Sequence, residues 1–137
     1  MGKRLWVERN KDGSWDGFSE DGAHVKFGKG TGLFSPGDLM KIALAACGAL
    51  SSQFAIEHAL GEGNGAKITV DGKYDADEDR YLSLEEHVSV DAVEAKLSEE
   101  DAAKLEERIR RHIEKACTVM HTIDKGAPTR MSVDIKH

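Results

Sequence analysis

One long apolar segment dictates how this chain must be built. Ser35-Pro36-Gly37-Asp38 is a strong helix start. Ser35 suits the N-cap, Pro36 the first helical position, and Asp38 completes a capping box of the Ser-x-x-acid kind. Leu39, Ile42, Ala43, Leu44, Ala45, Ala46, Cys47, Ala49 and Leu50 follow, leading on to Phe54, Ile56 and Leu60. Nearly every face of the first three turns is apolar, which predicts a helix buried on all sides rather than an amphipathic one. The rest of the chain has to cover it. Gly61-Glu62-Gly63-Asn64-Gly65 ends the run.

The flanking segments read as strands and one further helix. Residues 5–8 have strand propensity, and Asp12-Gly13 and Asp21-Gly22 are tight-turn dipeptides. With Trp15-Asp16-Gly17-Phe18 between them and alternation over residues 23–27, they predict a three-stranded antiparallel meander. Residues 28–33 form a glycine-rich connector whose GKGTG lacks the spacing of a phosphate loop. Alternation over residues 67–73 and 82–93, around the charged turn 75–80, predicts a hairpin. Ser98 and Asp101 make a second capping box, followed by a stripe of Leu105, Ile109, Ile113 and Ala116 at helical spacing. Cys117 follows Ile113 by four and extends that stripe. A short helical turn over residues 118–125 ends at Gly126, Pro128 blocks continuation, and Met131, Val133 and Ile135 alternate as a final strand. The order is three strands, helix, two strands, helix, strand, which is α+β. No linker or repeat divides it, so residues 1–137 are expected to form one domain.

Charge and hydropathy narrow the function. The net charge of -6 is spread along the chain, with no basic stripe for nucleic acid or an anionic membrane. The richest apolar run, residues 39–50, contains Lys41 and reads as too short to span a bilayer. The N-terminal residues lack an apolar signal region, so a cytoplasmic location is expected.

The two cysteines, Cys47 and Cys117, lie seventy residues apart, with no CxxC or metal-knuckle spacing. In a reducing compartment a structural bridge is disfavoured. Two readings remain from composition: small buried hydrophobes, or redox-active thiols. A reactive thiol must be held as thiolate, by a helix N-terminus, a cation or a metal. Cys47 lies twelve residues beyond Ser35, about three turns into its helix and outside the reach of that macrodipole. That leaves a cation, an Arg or Lys of the N-terminal meander, as the expected activator.

The segment SPGDLMKIALAACGALSSQFAIEHAL resembles the central helix of the OsmC/Ohr family, and RIRRHIEKACTVMHTIDKG resembles its second cysteine-bearing segment. The resemblance covers nearly the whole chain. It implies an intertwined α+β homodimer with composite sites at the subunit interface. It further implies a thiol peroxidase of organic hydroperoxides with a stress-response, antioxidant role. Cys47 would attack and become a sulfenic acid, and Cys117 would resolve it as a disulfide. No bound cofactor is implied. An external dithiol, often protein-bound lipoyl in this family, would reduce the pair. The family's activating acid follows the proline directly in one branch, where this chain has Gly37; other branches place it at the position of Asp38. Asp38 is open to two readings, that acid or a cap, since nine helical residues put it on the face opposite Cys47 and about 13.5 Å away along the axis. Arg9 is the nearest match to the partner cation, with Arg4 second, and a solvated strand-end charge is the alternative. The Gly37 departure keeps a second function open, a small-ligand-binding or stress-related protein of the same fold without efficient turnover.

Other polar constellations read as ordinary surface. His112, Cys117 and His121 lack the paired spacing of a zinc site. Glu106–Arg110 and Glu107–Arg111 are helix-surface pairs at i,i+4. Trp6, Trp15 and Phe18 are candidates for core, interface or the wall of an apolar pocket.

Overall fold

A computed structural model of the chain describes residues 2–137. It contains β1 (Leu5–Arg9), β2 (Trp15–Ser19), β3 (His24–Phe27), α1 (Pro36–Leu60), β4 (Lys67–Asp75), β5 (Arg80–Ser89), α2 (Glu99–Ala116) and α3 (Thr118–Lys125). The architecture is α+β, with antiparallel strand pairs throughout the two sheets. Two compact units can be distinguished, one running to Ile42 and the other Ala43–His137.

The first unit is the meander, in the order β1-β2-β3. Both Asp-Gly steps turn the chain as their sequence demands, with Gly13 at φ 91° and Gly22 at φ 95°, a region that L side chains avoid. Trp6 stacks on Phe18 at 5.8 Å and Trp15 faces Phe27 at 6.2 Å. These are cross-strand pairs in the Trp6↔Phe18 and Trp15↔Phe27 register.

In the second unit, the β4–β5 hairpin and the α2–α3 segment share one core with α1. Leu44, Ala55 and Ile56 of α1 cluster with Leu105, Ile109 and Ile113 of α2 and with Cys117. Val70 of β4 and Leu84 and Val88 of β5 pack against this cluster. Burying each large aliphatic side chain here contributes about 1.5–3 kcal/mol. Gly72 in β4 is required by close approach: a Cβ there would lie 2.6 Å from the Tyr81 ring. Ser98 caps α2, its hydroxyl accepting from the Asp101 N–H at 3.0 Å.

Four expectations need correction. First, α1 is buried on one face only: Leu50 and Phe54 are 79% and 68% exposed. Within Ala43–His137 the hairpin and α2–α3 supply a single covering layer, so a helix apolar all round keeps an open side. Second, residues 126–137 form no strand, and Met131, Val133 and Ile135 are exposed. The alternation is present, but among the described residues no strand offers that segment a hydrogen-bonded ladder. Third, Ala116 is exposed, because the α2 stripe turns away before its last residue and the chain bends at Cys117. Fourth, α1 has 25 residues and is long and apolar enough, by length and composition, to cross a membrane. One face of it packs against α2 and the hairpin.

Candidate active site: a thiol pair at a helix junction

Cys47 lies in the middle of α1, half-buried, and Cys117 is fully buried at the point where α2 gives way to α3. Cys117 has an extended backbone, φ -81° and ψ 96°, and so serves both as the C-cap of α2 and as the N-cap of α3. Its N–H donates to the Ile113 carbonyl at 2.9 Å, and its Sγ accepts from the Met120 N–H at 3.4 Å. A sulfur takes the place of the usual hydroxyl or carboxylate of an N-cap. This bend aims the first amides of α3 back towards α1.

Both cysteines are free thiols, and they are hydrogen-bonded to each other. Two opposed influences act on Cys47. Burial pushes its thiol up. Hydrogen bonds from the Cys117 thiol, the Val119 and Thr118 backbone N–H groups and the Ser51 hydroxyl outweigh burial, and the group lies below its ordinary value. Cys117 moves the other way. Burial raises it, then its bond to Cys47, then the negative charges of Cys47 and Glu86; only the Met120 N–H opposes them. Of the two sulfurs, Cys47 is therefore the one that ionises more readily, and Cys117 is the one that keeps its proton longer.

The first backbone amides of α3 are among the groups that lower the Cys47 thiol, a contribution that the sequence reading, which looked to a cation of the meander, did not include. Counting along α1 rightly excludes the dipole of that helix, but α3 brings its own N-terminal amides to the sulfur. Donors at a helix start stabilise an anion there. The signal was present in the sequence as a cysteine placed directly before an eight-residue helix that ends at Gly126. The tertiary contact with Cys47 was not.

The other two candidates belong to the first unit. Asp38 closes a reciprocal capping box at the start of α1. The Ser35 N–H donates to its Oδ2 at 2.9 Å, and its own N–H donates to Ser35 Oγ at 3.1 Å. These bonds, the backbone one first, hold its carboxyl below the usual range. The cap is thus the role its contacts show. Arg9 ends β1 in the first unit, exposed, with its guanidinium donating to the Asn10 carbonyl at 3.4 Å. Among the histidines, His121 contacts the Glu114 carbonyl at 2.6 Å and His58 contacts Arg108 at 3.3 Å. No three His, Cys, Asp or Glu side chains among the described residues gather as a metal site.

One site residue escaped sequence reading. Glu86 occupies an inward position of β5, between the packed Leu84 and Val88. Its Oε1 is buried without a hydrogen-bond partner among the described residues, and burial raises its carboxyl. A charged residue in an apolar alternation was the available clue.

The profile of the family described as OsmC-like protein matches residues 28–132. An uncharacterized protein of Mycobacterium tuberculosis and one of Mycobacterium bovis are each 37% identical over 132 residues, covering 95% of both chains. An OsmC-like protein of Mycoplasma pneumoniae has a similar fold, with TM-score 0.64 and 14% identity over 90% of this chain and 88% of that one. A hypothetical protein of Aquifex aeolicus gives TM-score 0.67 and 16% identity over 91% and 89%.

Proposed function

This chain belongs to the OsmC-like family, and we propose that it is a thiol peroxidase that reduces organic hydroperoxides with Cys47 and Cys117. What supports this reading is the asymmetric thiol pair: a half-buried Cys47 whose thiol is lowered by hydrogen bonds from Cys117 and the α3 amides, beside a fully buried Cys117 whose thiol is raised. The Cys47 thiolate attacks the terminal peroxide oxygen and the O–O bond breaks. The alkoxide takes a proton and leaves as alcohol, and Cys47 becomes a sulfenic acid. Cys117 then loses its proton and attacks the Cys47 sulfur. The S–O bond breaks, hydroxide takes a proton and leaves as water, and a disulfide remains. Closing that bond requires the sulfurs to approach to about 2.05 Å. An external dithiol, with protein-bound lipoyl as one candidate, reduces the bridge by exchange and is itself oxidised to a disulfide. In a cytoplasmic setting the resting pair would be reduced.

The working unit in this proposal is a homodimer. Leu50 and Phe54 on the open side of α1, and the exposed alternation of Met131, Val133 and Ile135, are apolar surfaces that a second copy would cover. Arg9 is the cation that the family likeness assigns to Cys47. In light scattering the native chain is expected at twice its chain mass and Val133→Glu at the mass of one chain. A monomeric native protein would refute the assembly.

Cumene hydroperoxide with a dithiol tests the activity. The native protein turns over and Cys47→Ser does not, while Cys117→Ser reacts once and accumulates sulfenic acid. Full turnover by Cys47→Ser would overturn the proposal. The capping role of Asp38, together with Gly37, favours a second reading: a small-ligand-binding or stress-related protein without efficient turnover. A Cys47 pKa near the free value of about 8.5 would select it.

A further inference from the structure

The direction of α3 relative to α2 turns on one residue. Cys117 leaves helical geometry at φ -81° and ψ 96°, with α2 ending at Ala116 and α3 starting at Thr118. The backbone bonds nearest this bend do not cross it. The Cys117 N–H donates to the Ile113 carbonyl at 2.9 Å, which ties the residue to α2. The His121 N–H donates to the Cys117 carbonyl at 3.1 Å, and the Met120 N–H to its Sγ at 3.4 Å, which tie it to α3. Val119 and Met120 pack against the core, yet no residue of α3 is fully buried. A helix of eight residues is marginal by itself, so its direction needs a further restraint.

Among the described residues, one hydrogen bond runs directly from α3 to α2. His121 Nε2 lies 2.6 Å from the Glu114 carbonyl oxygen, seven residues back. A carbonyl only accepts, so the ring N–H donates. The acceptor is one of the last four carbonyls of α2, which a helix leaves without intrahelical partners. A histidine side chain near a helix C-terminus is suited to such a bond. His121 therefore holds the junction twice, by its backbone at Cys117 and by its ring across the bend. Glu114 and His121 are both exposed, so the bond buries no apolar surface. What it fixes is an angle, at the residue whose sulfur faces the core shared with α1.

We infer that His121 is a positioning residue for Cys117: its ring, fastened to the Glu114 carbonyl, locks the α2–α3 bend and so holds the Cys117 sulfur in place for bond formation with Cys47. Freedom at the bend has to be given up when the two sulfurs join, and a bend already locked gives up less. The inference deepens the thiol-pair reading above and rests on it, but it does not depend on a peroxide.

The experiment uses the full chain equilibrated with mixtures of oxidised and reduced dithiothreitol. As the bridge forms, each protein thiol gives up its hydrogen and the oxidised reagent becomes the dithiol. The bridged fraction is read by alkylation and mass spectrometry. His121→Phe keeps a ring and removes the donor. It is expected to lower the equilibrium constant for the bridge roughly two- to tenfold, the worth of one hydrogen bond. His121→Gln supplies an amide N–H and is expected to recover most of that loss. Glu114→Ala leaves the accepting carbonyl in place and is expected to match the native chain. With one equivalent of cumene hydroperoxide, His121→Phe is expected to close the bridge more slowly by a similar factor. Sulfenic acid formation at Cys47, measured with Cys117→Ser also present, is expected to keep its rate. An unmoved equilibrium constant in His121→Phe, or equal losses in His121→Phe and His121→Gln, overturns the inference. A shifted constant in a protein that peroxide does not oxidise overturns the peroxidase reading alone. A native chain that forms no Cys47–Cys117 bridge at any dithiol ratio overturns both.

Discussion

Replacing Thr118 by proline removes one donor to the Cys47 sulfur while leaving every side chain of the site in place. Thr118 is the first residue of α3, a position where proline's missing N–H and fixed φ are tolerated. The preceding Cys117 is already extended, as a residue before proline must be. A hydrogen bond to a charged group contributes about 1.5–3 kcal/mol, and one pKa unit corresponds to 1.36 kcal/mol, so an isolated site would shift by about 1–2 units. Cys47 is only half-buried, and Val119, Ser51 and Cys117 still donate. Solvent screening and redistribution therefore place the expected rise at about 1 unit. The sign is fixed: losing a donor to the anion raises the thiol, and at a pH below both midpoints the thiolate fraction falls about tenfold. The assay is the pH dependence of iodoacetamide labelling at Cys47, read by mass spectrometry, with Thr118→Ala as the control that keeps the N–H. Far-UV dichroism checks that α3 survives. A Cys47 midpoint equal in the two variants, with the helix intact, would refute the claim that α3 amides lower the Cys47 thiol.

Two further outcomes follow from the core. Ile56 is fully buried against α2, so Ile56→Ala is expected to cost about 2–5 kcal/mol in urea unfolding; a loss below about 1 kcal/mol would mean that α1 does not pack there. Burial raises Glu86 in the folded state, so the native chain binds more protons than the unfolded one just above pH 4.5. Its contribution is therefore favourable below that pH and lost as the pH rises through the folded value. Glu86→Gln should gain stability relative to the parent as the pH rises above about 4.5, and a difference in urea midpoint independent of pH would contradict the placement.

Much of this was legible in the residues because it is local. The Asp-Gly turns, both capping boxes and the Gly126 stop involve neighbours within four residues, and each appears where the sequence places it. The hairpin was legible from alternation, though β5 ends at Ser89 rather than at residue 93, because the chain leaves the ladder once β4 has no residue left to pair. Burial around α1 was overestimated, because an apolar surface states a need for cover without saying that the same chain supplies it. The 131–135 strand failed for the related reason that alternation describes side chains, whereas a strand needs a second backbone.

The sequence by itself determined where the two thiols lie along the chain, that one is mid-helix and the other at a helix end, and that Asp38 is suited to a cap. Only the tertiary structure brought the two thiols together and made Cys47 the more easily ionised of them. That outcome depends on α3 amides and the Cys117 thiol reaching a sulfur seventy residues earlier in the chain. Electrostatic roles of this kind are set by distances through the core, and sequence spacing carries no record of them.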